Sequence, residues 1–323
     1  MRKDICNYIQ NISKEDWDLF GMGGYMGKHA YLIMAHSQFQ YLKQLIESLD
    51  DPRNDIYVHI DKKANFTDYA KLKSEIRFSS VFFIRQRDVK WAAYSGILCE
   101  LDLLKEATSR HQYDYYHLLS GSDLVIKTQN EIHQFFDQNK GCEFLAFDEQ
   151  IVDSQYLERI KYYYLFQDVY GRNRKNLLLL GLYAVDKILL FIQKLLKIDR
   201  IKGVKVIFQK GTNWFSITHD FALYVIQQED WIGKIFQYSL SGDELFLQTV
   251  LINSQYREHL YQSKYLNKNP NMRLIDWTRG KPYTWRKEDF DILANSNMFY
   301  ARKVDPNVDN EIIEMIHRNI NEK

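Results

Sequence analysis

Cysteine and proline are scarce in this 323-residue chain, and each scarcity excludes a kind of architecture. The three cysteines, Cys6, Cys99 and Cys142, are too few and too widely spaced to build a disulfide framework or a zinc site. Four prolines leave no clear interdomain linker. Because 46% of the residues are hydrophobic, the chain can bury a large core, and we expect one elaborated domain or two fused lobes.

An excess of charge is also absent. The 43 Lys and Arg residues almost balance the 42 Asp and Glu residues, and the formal net charge is +1. Proteins that grip nucleic acid through their surface need a broad positive region. We therefore expect no nucleic-acid partner, and any anionic ligand must be bound by local charges.

No uninterrupted apolar run opens the chain. Residues 1–27 carry Asp4, Glu15, Asp16 and Asp18 among their apolar residues, so the pattern of a signal peptide is missing. We predict that residues 1–27 form a poorly ordered leader and that the protein is cytoplasmic.

Several familiar catalytic motifs are missing as well. No glycine-rich phosphate loop follows a strand, and neither a Gly-x-Ser-x-Gly elbow nor a His-Glu-x-x-His pair occurs. A hydrolase with a nucleophilic serine is therefore poorly supported.

What the chain does contain is an alternation of apolar runs and helical periodicity. The predicted strands of the first half are 30–35, 55–60, 81–84 and 115–119. The predicted helices between them are 38–49, 69–76 and 94–107. In the second half we predict strands over 205–208 and 214–217, and helices over 220–227 and 242–251. This alternation predicts an α/β fold with a mostly parallel central sheet flanked by helices.

Two strand ends carry polar residues that are candidates for ligand binding. Asp61 and Asp123 each come soon after an apolar run. In open α/β sheets, ligands bind at the carboxyl ends of the strands, where the loops converge. The alternative, equally open from these residues alone, is that each aspartate only caps the next helix or turn.

Residues 176–197 are the most unusual segment. They are rich in Leu and Ile, yet polar residues recur at helical spacing: Asp186, Lys187, Gln193, Lys194 and Lys197. A charged stripe of this kind disfavours a helix that crosses a bilayer. Basic residues throughout 172–205 suit a helix that lies on an anionic membrane. The alternative is a helix packed on the domain or on a second subunit.

Five segments, in this order, resemble those of a known enzyme family. They are 56–63 (IYVHIDKK), 89–95 (VKWAAYS), 115–128 (YYHLLSGSDLVIKT), 211–218 (GTNWFSIT) and 241–249 (SGDELFLQT). Together they are similar to the core-2/I-branching β-1,6-N-acetylglucosaminyltransferases and the related peptide O-xylosyltransferases, over about residues 29–305.

The resemblance implies a nucleotide-sugar-binding fold of the glycosyltransferase A type and inversion at the anomeric carbon. We expect a nucleotide-binding half over about 28–150 and an acceptor and catalytic half over about 151–310. An amphipathic insertion is expected over about 172–205, and a C-terminal helix over 311–323. Inversion by one displacement needs a base for the acceptor hydroxyl.

Glu244 lies at the position of that base. A carboxylate suits this role if a partly dry pocket raises its pKa. The alternative is that Asp243 and Glu244 are ordinary first-turn acids of a helix.

The resemblance further implies that basic side chains, without a metal, stabilise the departing diphosphate. The Asp-x-Asp pair of metal-dependent enzymes is replaced here by Ser120-Gly121-Ser122-Asp123, and Asp289-Phe290-Asp291 is interpreted as a helix start. Lys303 matches the phosphate-binding lysine of the family, and Arg273 is the predicted arginine partner. On charge alone, Arg302 and Lys303 could instead be a solvated pair.

The remaining site residues are predicted from the same resemblance. Binding of the donor nucleoside and sugar is expected from His36, Asp61, Trp91, Tyr94, Ser95 and Asp123. Contact with the acceptor is expected from Trp214, Arg159 and Lys161.

The predicted reaction moves N-acetylglucosamine from UDP-GlcNAc to a sugar hydroxyl of a glycan or lipid-linked oligosaccharide, with no cofactor, in bacterial surface polysaccharide synthesis. A transferase of UDP-xylose or another UDP-sugar is the nearest alternative. A non-catalytic carbohydrate-binding protein is the alternative from another class.

Overall fold

The computed structural model describes residues 27–148, 154–261 and 269–322, so the predicted leader lies almost entirely outside the described residues. The strands are β1 (His29–Ala35), β2 (Asn54–Ile60), β3 (Ser80–Phe83), β4 (Tyr115–Ser120), β5 (Asp123–Val125), β6 (Phe144–Phe147), β7 (Gly211–Thr218), β8 (Arg273–Ile275) and β9 (Tyr300–Arg302).

The helices of the first half are α1 (Phe39–Ser48), α2 (Tyr69–Lys73), α3 (Tyr94–Arg110) and α4 (Gln129–Gln138). Those of the second half are α5 (Ser154–Lys161), α6 (Gln167–Tyr170), α7 (Leu177–Leu195), α8 (His219–Gln227), α9 (Glu229–Phe236), α10 (Phe246–Ile252), α11 (Phe290–Ala294) and α12 (Glu311–Asn321). Short 3-10 helices cover Lys62–Ala64, Gly242–Glu244, Gln255–His259 and Lys287–Asp289.

Six strands form the central sheet in the order β3-β2-β1-β4-β7-β6. The first four are parallel, whereas β7 is antiparallel to β4 and β6 is antiparallel to β7. A second, three-stranded sheet has the order β5-β9-β8. The predicted α/β fold with a mostly parallel central sheet flanked by helices is therefore confirmed.

The two faces of the central sheet carry two separate hydrophobic cores. Successive side chains of a strand point to opposite faces, so Tyr31 and Ile33 join one core while Ala30 and Leu32 join the other. Helices α1, α4 and α12 and the small sheet pack on the first face, and α3, α8 and α10 pack on the second. Strands buried on both sides explain why β1, β2 and β4 have continuous apolar runs in the sequence.

Two predicted elements were wrong in detail. No strand forms over 205–208, because the backbone of Ile207 is bound by the Asn253 side chain, which accepts from Ile207 N at 2.9 Å and donates to Ile207 O at 2.7 Å. The helix predicted over 242–251 is interrupted at Leu245 and divides into a 3-10 turn and α10. Glu244 therefore lies on a turn before the helix, outside its regular first turn.

Within the described ranges, no helix combines the length and the apolar character needed to cross a membrane.

Candidate active site

The carboxyl ends of β2, β1 and β4 lie side by side and bring three predicted donor-binding residues to one edge of the sheet. Asp61 N donates to Ala35 O at 2.8 Å, and Gly121 N donates to Met34 O at 2.9 Å, so the loops after these strands are joined by hydrogen bonds. His36 is exposed directly after β1, and Asp61 is buried directly after β2. Asp123 begins β5 close to the end of β4.

Asp123 forms a buried ion pair with Arg302, its partner in the β5–β9 ladder. Arg302 Nη1 lies 2.9 Å from Asp123 Oδ1 and also donates to the hydroxyls of Ser120 and Ser122. Its guanidinium group lies 4.3 Å from the centre of the Trp214 ring. The cluster thus combines a carboxylate, a guanidinium group and an indole at the end of the central strand β4.

The alternative in which Arg302 belongs to a solvated surface pair does not fit this geometry. Arg302 is partly buried, and its guanidinium group is held by several side chains. Lys303 follows it, with its backbone bonded to Tyr283 and Trp285. Among the residues that the structure describes, no carboxylate lies within ion-pair distance of the Lys303 ammonium group.

Arg273 does not have the surroundings that its predicted phosphate-binding role requires. Its side chain is only 1% exposed and lies among backbone carbonyls. It donates to Leu118 O at 3.1 Å, to Ser216 Oγ at 2.7 Å and to the carbonyls of Phe215 and Asn271. Burial lowers the pKa of Arg273 to about 10. A diphosphate has no access to this guanidinium group, which instead joins β4, β7 and β8 from inside.

Asp61 is held by a network of lysines in the loops after β2 and β3. It accepts from Lys63 N at 2.8 Å and from Lys63 Nζ at 3.0 Å, so it does cap the following 3-10 helix. Lys63 Nζ also donates to Asp88 at 2.5 Å, and Lys90 lies 2.9 Å from the same carboxylate. A cavity of about 260 Å³ beside this network is lined by Lys62, Arg85, Gln86, Arg87, Asp88 and Asp102. Of the basic residues that line it, Arg85 and Arg87 were not singled out in the sequence.

A larger cavity of about 480 Å³ lies elsewhere. It is lined by Arg53 and by residues of α4 that include Asn130 and His133. Arg53 precedes β2, so this cavity lies near the amino ends of the parallel strands. It contains none of the predicted site residues, and ligands of such sheets bind at the opposite edge.

The loop before α3 presents Trp91 to solvent but turns the other two predicted donor residues inward. Trp91 is 53% exposed, and the Arg172 guanidinium group lies 3.8 Å from its ring centre. Ser95 is mostly buried; its hydroxyl accepts from Lys90 N at 2.9 Å, and its amide donates to Asp168 at 3.0 Å. Tyr94 is half-buried against the second core, with its hydroxyl beside Gly233. Trp91 is therefore the member of this loop that is open to a ligand.

A hydrogen bond between two residues with strained backbone conformations joins this loop to the turn that carries Glu244. Ser241 N donates to Ala92 O at 2.9 Å, and both residues have positive φ, 52° for Ser241 and 58° for Ala92. Left-handed geometry costs a residue with a Cβ on the order of 1 kcal/mol. Such strain persists where the surroundings fix it, and it clusters at functional sites.

Glu244 is half-exposed and forms an ion pair with Arg159. Arg159 Nη1 donates to Glu244 Oε2 at 2.7 Å, and 39% of the Glu244 side chain is exposed. Arg159 thus lies beside the predicted base, and its contact with an acceptor stays a prediction. Lys161, on the same helix, faces Asp199 at 3.7 Å. The surroundings of Glu244 differ from the partly dry pocket that was expected.

The carboxyl groups that are shielded from water belong instead to Asp243, which precedes Glu244, and to Glu100 of α3. Burial, followed by the charge of Glu244, raises the pKa of Asp243 to about 6. Burial, followed by the charge of Asp243, raises the pKa of Glu100 well above its usual value. One oxygen of each group, Asp243 Oδ1 and Glu100 Oε2, is buried without a hydrogen-bond partner. Sequence reasoning missed Glu100, since it lies in an ordinary amphipathic helix.

No group of three or more metal-ligating side chains is found in ranges 27–148, 154–261 and 269–322. The independence of the reaction from metal stays a prediction.

Comparison with known proteins places this geometry in a family. The model of the "Core-2/I-Branching enzyme" family matches residues 29–298. Xylosyltransferase 2 of Rattus norvegicus is 23% identical over 318 residues, which cover 91% of this chain and 34% of the rat protein. Xylosyltransferase oxt of Drosophila melanogaster is 22% identical over 314 residues, which cover 88% of this chain and 32% of the fly protein.

The chain therefore spans about a third of the length of the curated relatives it matches. Among solved structures, the apo form of mouse xyloside xylosyltransferase 1 aligns with a TM-score of 0.40 and 12% identity, covering 84% of this chain and 97% of that one. The family match covers all six strands of the central sheet and two of the three strands of the small sheet, and it ends just before β9. The chain belongs to the core-2/I-branching enzyme family.

Proposed function

We propose that this protein is an inverting glycosyltransferase that moves a sugar from a nucleoside diphosphate sugar to a hydroxyl of its acceptor. The observation that carries the proposal is the Asp123–Arg302–Trp214 cluster at the carboxyl edge of the sheet. Hydrogen-bonding groups and fixed positive charge meet there, as a sugar diphosphate requires, and the buried Trp214 ring supports the Arg302 guanidinium group from one side. The turn with Glu244 packs against β7, the strand that carries Trp214.

Glu244 is the proposed catalytic base. The acceptor oxygen forms a bond to the anomeric carbon while the bond from that carbon to the diphosphate oxygen breaks, and the hydroxyl proton passes to the Glu244 carboxylate. Because Arg159 binds Oε2, we assign the proton transfer to Oε1. Arg159 then acts as a positioning residue that fixes the direction of the carboxylate.

Arg302 and Lys303 are the proposed stabilising charges for the departing diphosphate, without a metal ion. Both are adjacent to the strand end that carries Asp123, and Val304 N donates to Ser122 O at 3.0 Å, which holds this stretch in place. Fixed cations act strongly where charge develops, because they need no reorganisation during the reaction. Arg302 replaces the buried Arg273 in this role.

Two donors are proposed, and different observations favour them. The sequence resemblance favours UDP-GlcNAc, with the sugar passed to a glycan hydroxyl. The names of the curated relatives, xylosyltransferases, favour UDP-xylose as the second candidate. The low cysteine content favours a reducing compartment. We further propose that the protein is a cytoplasmic bacterial enzyme that extends a lipid-linked oligosaccharide.

The test is release of UDP from UDP-GlcNAc and from UDP-xylose, measured with a panel of glycan acceptors in EDTA. We expect turnover in EDTA and a loss of about 10²-fold or more in Glu244→Gln, with UDP binding retained. Glu258→Gln is the matched control, because Glu258 is exposed on a nearby 3-10 helix.

Full turnover by Glu244→Gln would contradict the base assignment. Activity that disappears in EDTA and returns with manganese would contradict the role of Arg302 and Lys303. Sugar binding without release of UDP from any donor would identify the carbohydrate-binding alternative.

A further inference from the structure

Helix α7 is attached to the protein through its polar residues, the reverse of an ordinary surface helix. Asp186 is buried, accepts from Phe166 N at 3.2 Å and receives the Tyr170 hydroxyl at 2.8 Å. Gln193 is buried two turns later and bonds to both backbone groups of Tyr163, at 2.8 and 3.0 Å. The polar side of the helix is therefore satisfied by the protein body.

The opposite side of α7 and the residue after it form a continuous apolar face that is open to solvent. Leu177 is 87% exposed, Ile188 58% and Phe191 63%. With about 3.6 residues per turn, these positions lie roughly opposite Asp186 and Gln193. The exposed apolar face comprises Leu177, Leu178, Leu180, Val185, Ile188, Phe191, Ile192, Leu195 and Leu196. A face of this size marks an interaction site rather than ordinary surface.

The segment around this face is strongly basic, although the whole chain is almost neutral. Residues 172–205 contain nine Lys or Arg residues and two acidic residues, against a net charge of +1 for the chain. Both acidic residues are engaged: Asp186 faces the body, and Asp199 lies 3.7 Å from Lys161. Lys187 and Lys194 are exposed one residue beyond the two inward-facing polar residues, at the border of the apolar face.

We propose that the exposed apolar face of α7 docks on an anionic lipid surface, with the helix lying in the plane of the membrane interface. Apolar side chains enter the boundary of the acyl chains while the flanking lysines and arginines meet the negatively charged headgroups. A second copy of the chain is the poorer occupant, because two such faces would bring two basic segments together.

Docking in this way would place the candidate active site close to the lipid. Arg172, at the start of the basic segment, stacks on the exposed Trp91, and Arg200 N donates to Lys161 O at 3.0 Å. The segment is thus joined at both ends to elements of the candidate site. The inference itself does not depend on the reaction, and it can be tested without any substrate.

Vesicle flotation of the full chain tests the proposal. We expect flotation with vesicles of phosphatidylcholine and phosphatidylglycerol, weaker flotation with phosphatidylcholine alone, and a decrease as salt rises. In Ile188→Gln/Phe191→Gln, the partition coefficient falls about tenfold or more, because two apolar side chains no longer enter the interface. The matched control is Ile292→Gln/Val308→Gln, which changes two exposed apolar residues on other elements and leaves flotation unchanged.

A second pair of measurements separates the lipid from other occupants. Lys175→Gln/Lys187→Gln should weaken binding to the anionic vesicles and leave binding to neutral vesicles almost unchanged. Circular dichroism checks that each variant is folded. No flotation of the wild type, or equal flotation of the α7 variant and the control, overturns the proposal. So does a dimer, measured by light scattering, that dissociates in the α7 variant while vesicles fail to bind the wild type.

Discussion

Arg302 has a structural role that its contacts show and a proposed role in binding the diphosphate, and replacing it by Ala should affect both. Arg302 neutralises the buried Asp123 at 2.9 Å, lies over Trp214 at 4.3 Å and is proposed to bind the diphosphate. Its removal leaves the Asp123 carboxylate, which is 2% exposed, without its cation. The loss of one partner of a buried pair costs about 3 to 5 kcal/mol, so we expect Arg302→Ala to lower the free energy of unfolding by roughly this amount.

The double variant Asp123→Asn/Arg302→Ala distinguishes the roles. It removes both charges, so much of the lost stability should return, since no unpaired buried carboxylate remains. Affinity for UDP and turnover should not return, because the cation that is proposed to bind the diphosphate is still missing. The loss of one preorganised charge costs on the order of 10² to 10³-fold in turnover.

Arg302→Lys is the intermediate case. It keeps the charge but loses the planar fork and most of the stacking on Trp214, and we expect a loss of about 1 to 2 kcal/mol in stability. Urea denaturation gives the stabilities, and calorimetric titration with UDP gives the affinities. Unchanged UDP affinity in Arg302→Ala would refute the phosphate role, and unchanged stability would refute the buried pair.

Three further predictions concern buried or strained residues. Burial raises the folded-state pKa of Asp243 from 3.8 to about 6, so the stability linked to its neutral form is fully present below about pH 3.8 and is lost as the pH rises through 6. The free energy of unfolding of Asp243→Asn, relative to that of the wild type, should therefore increase by on the order of 2 to 3 kcal/mol from pH 4 to pH 8. Urea denaturation at both pH values measures this difference. Burial lowers the pKa of His133 from 6.5 to about 3, so its contribution to stability is present above pH 6.5 and is lost as the pH falls towards 3. Relative to His133→Gln, the free energy of unfolding of the wild type should fall by about 1.4 kcal/mol per pH unit in that window. Parallel curves of unfolding free energy against pH for the two proteins would contradict this. Ala92→Gly relieves a φ of 58° and should raise the unfolding free energy by up to about 1 kcal/mol, whereas the same change at Ala107, inside α3, should lower it by a similar amount.

Long elements could be predicted from the sequence because their patterns are long. β1, β2 and β4 are buried on both faces, so each has a continuous apolar run, and their predicted limits agree with the structure to within one or two residues. Strands β5, β8 and β9 have three residues each, which is too short for any periodicity to be recognised. These three short strands form the small sheet that positions Arg302.

The prediction of Arg273 rather than Arg302 as the phosphate-binding arginine has the same origin. Both arginines lie in short strands of the small sheet, and sequence order says nothing about which one is paired with Asp123. The ladder places Arg302 opposite Asp123 and places Arg273 opposite Tyr300, whose ring centre lies 4.9 Å from the Arg273 guanidinium carbon. The family resemblance predicted a basic pair near the C-terminus, but only the register of β9 decides which guanidinium group faces the strand end.

The sequence pattern of α7 also does not predict which side of the helix faces the protein. Asp186 and Gln193 recur two turns apart, and a polar stripe at that spacing normally faces water. Here Tyr163, Phe166 and Tyr170, which lie in and before α6, supply backbone and hydroxyl groups that satisfy both side chains. A polar stripe can face the protein when residues close in sequence supply hydrogen-bonding groups at fixed positions. The sequence of the helix alone does not indicate this.

The backbone hydrogen bond between Ala92 and Ser241, which both have positive φ, joins two loops that lie about 150 residues apart in the sequence. One loop presents Trp91 to the proposed donor, and the other presents Glu244 to the proposed acceptor. Ser95 is fixed to Asp168 on one side and to Lys90 on the other, and Arg159 holds Glu244, so each loop is restrained at more than one point. Because a displacement transfers a group between two bound molecules, the distance between these loops must be held constant during the reaction. A backbone hydrogen bond between two residues in unfavourable conformations does this directly, and relieving the strain at Ala92 should therefore stabilise the fold while loosening the alignment of donor and base.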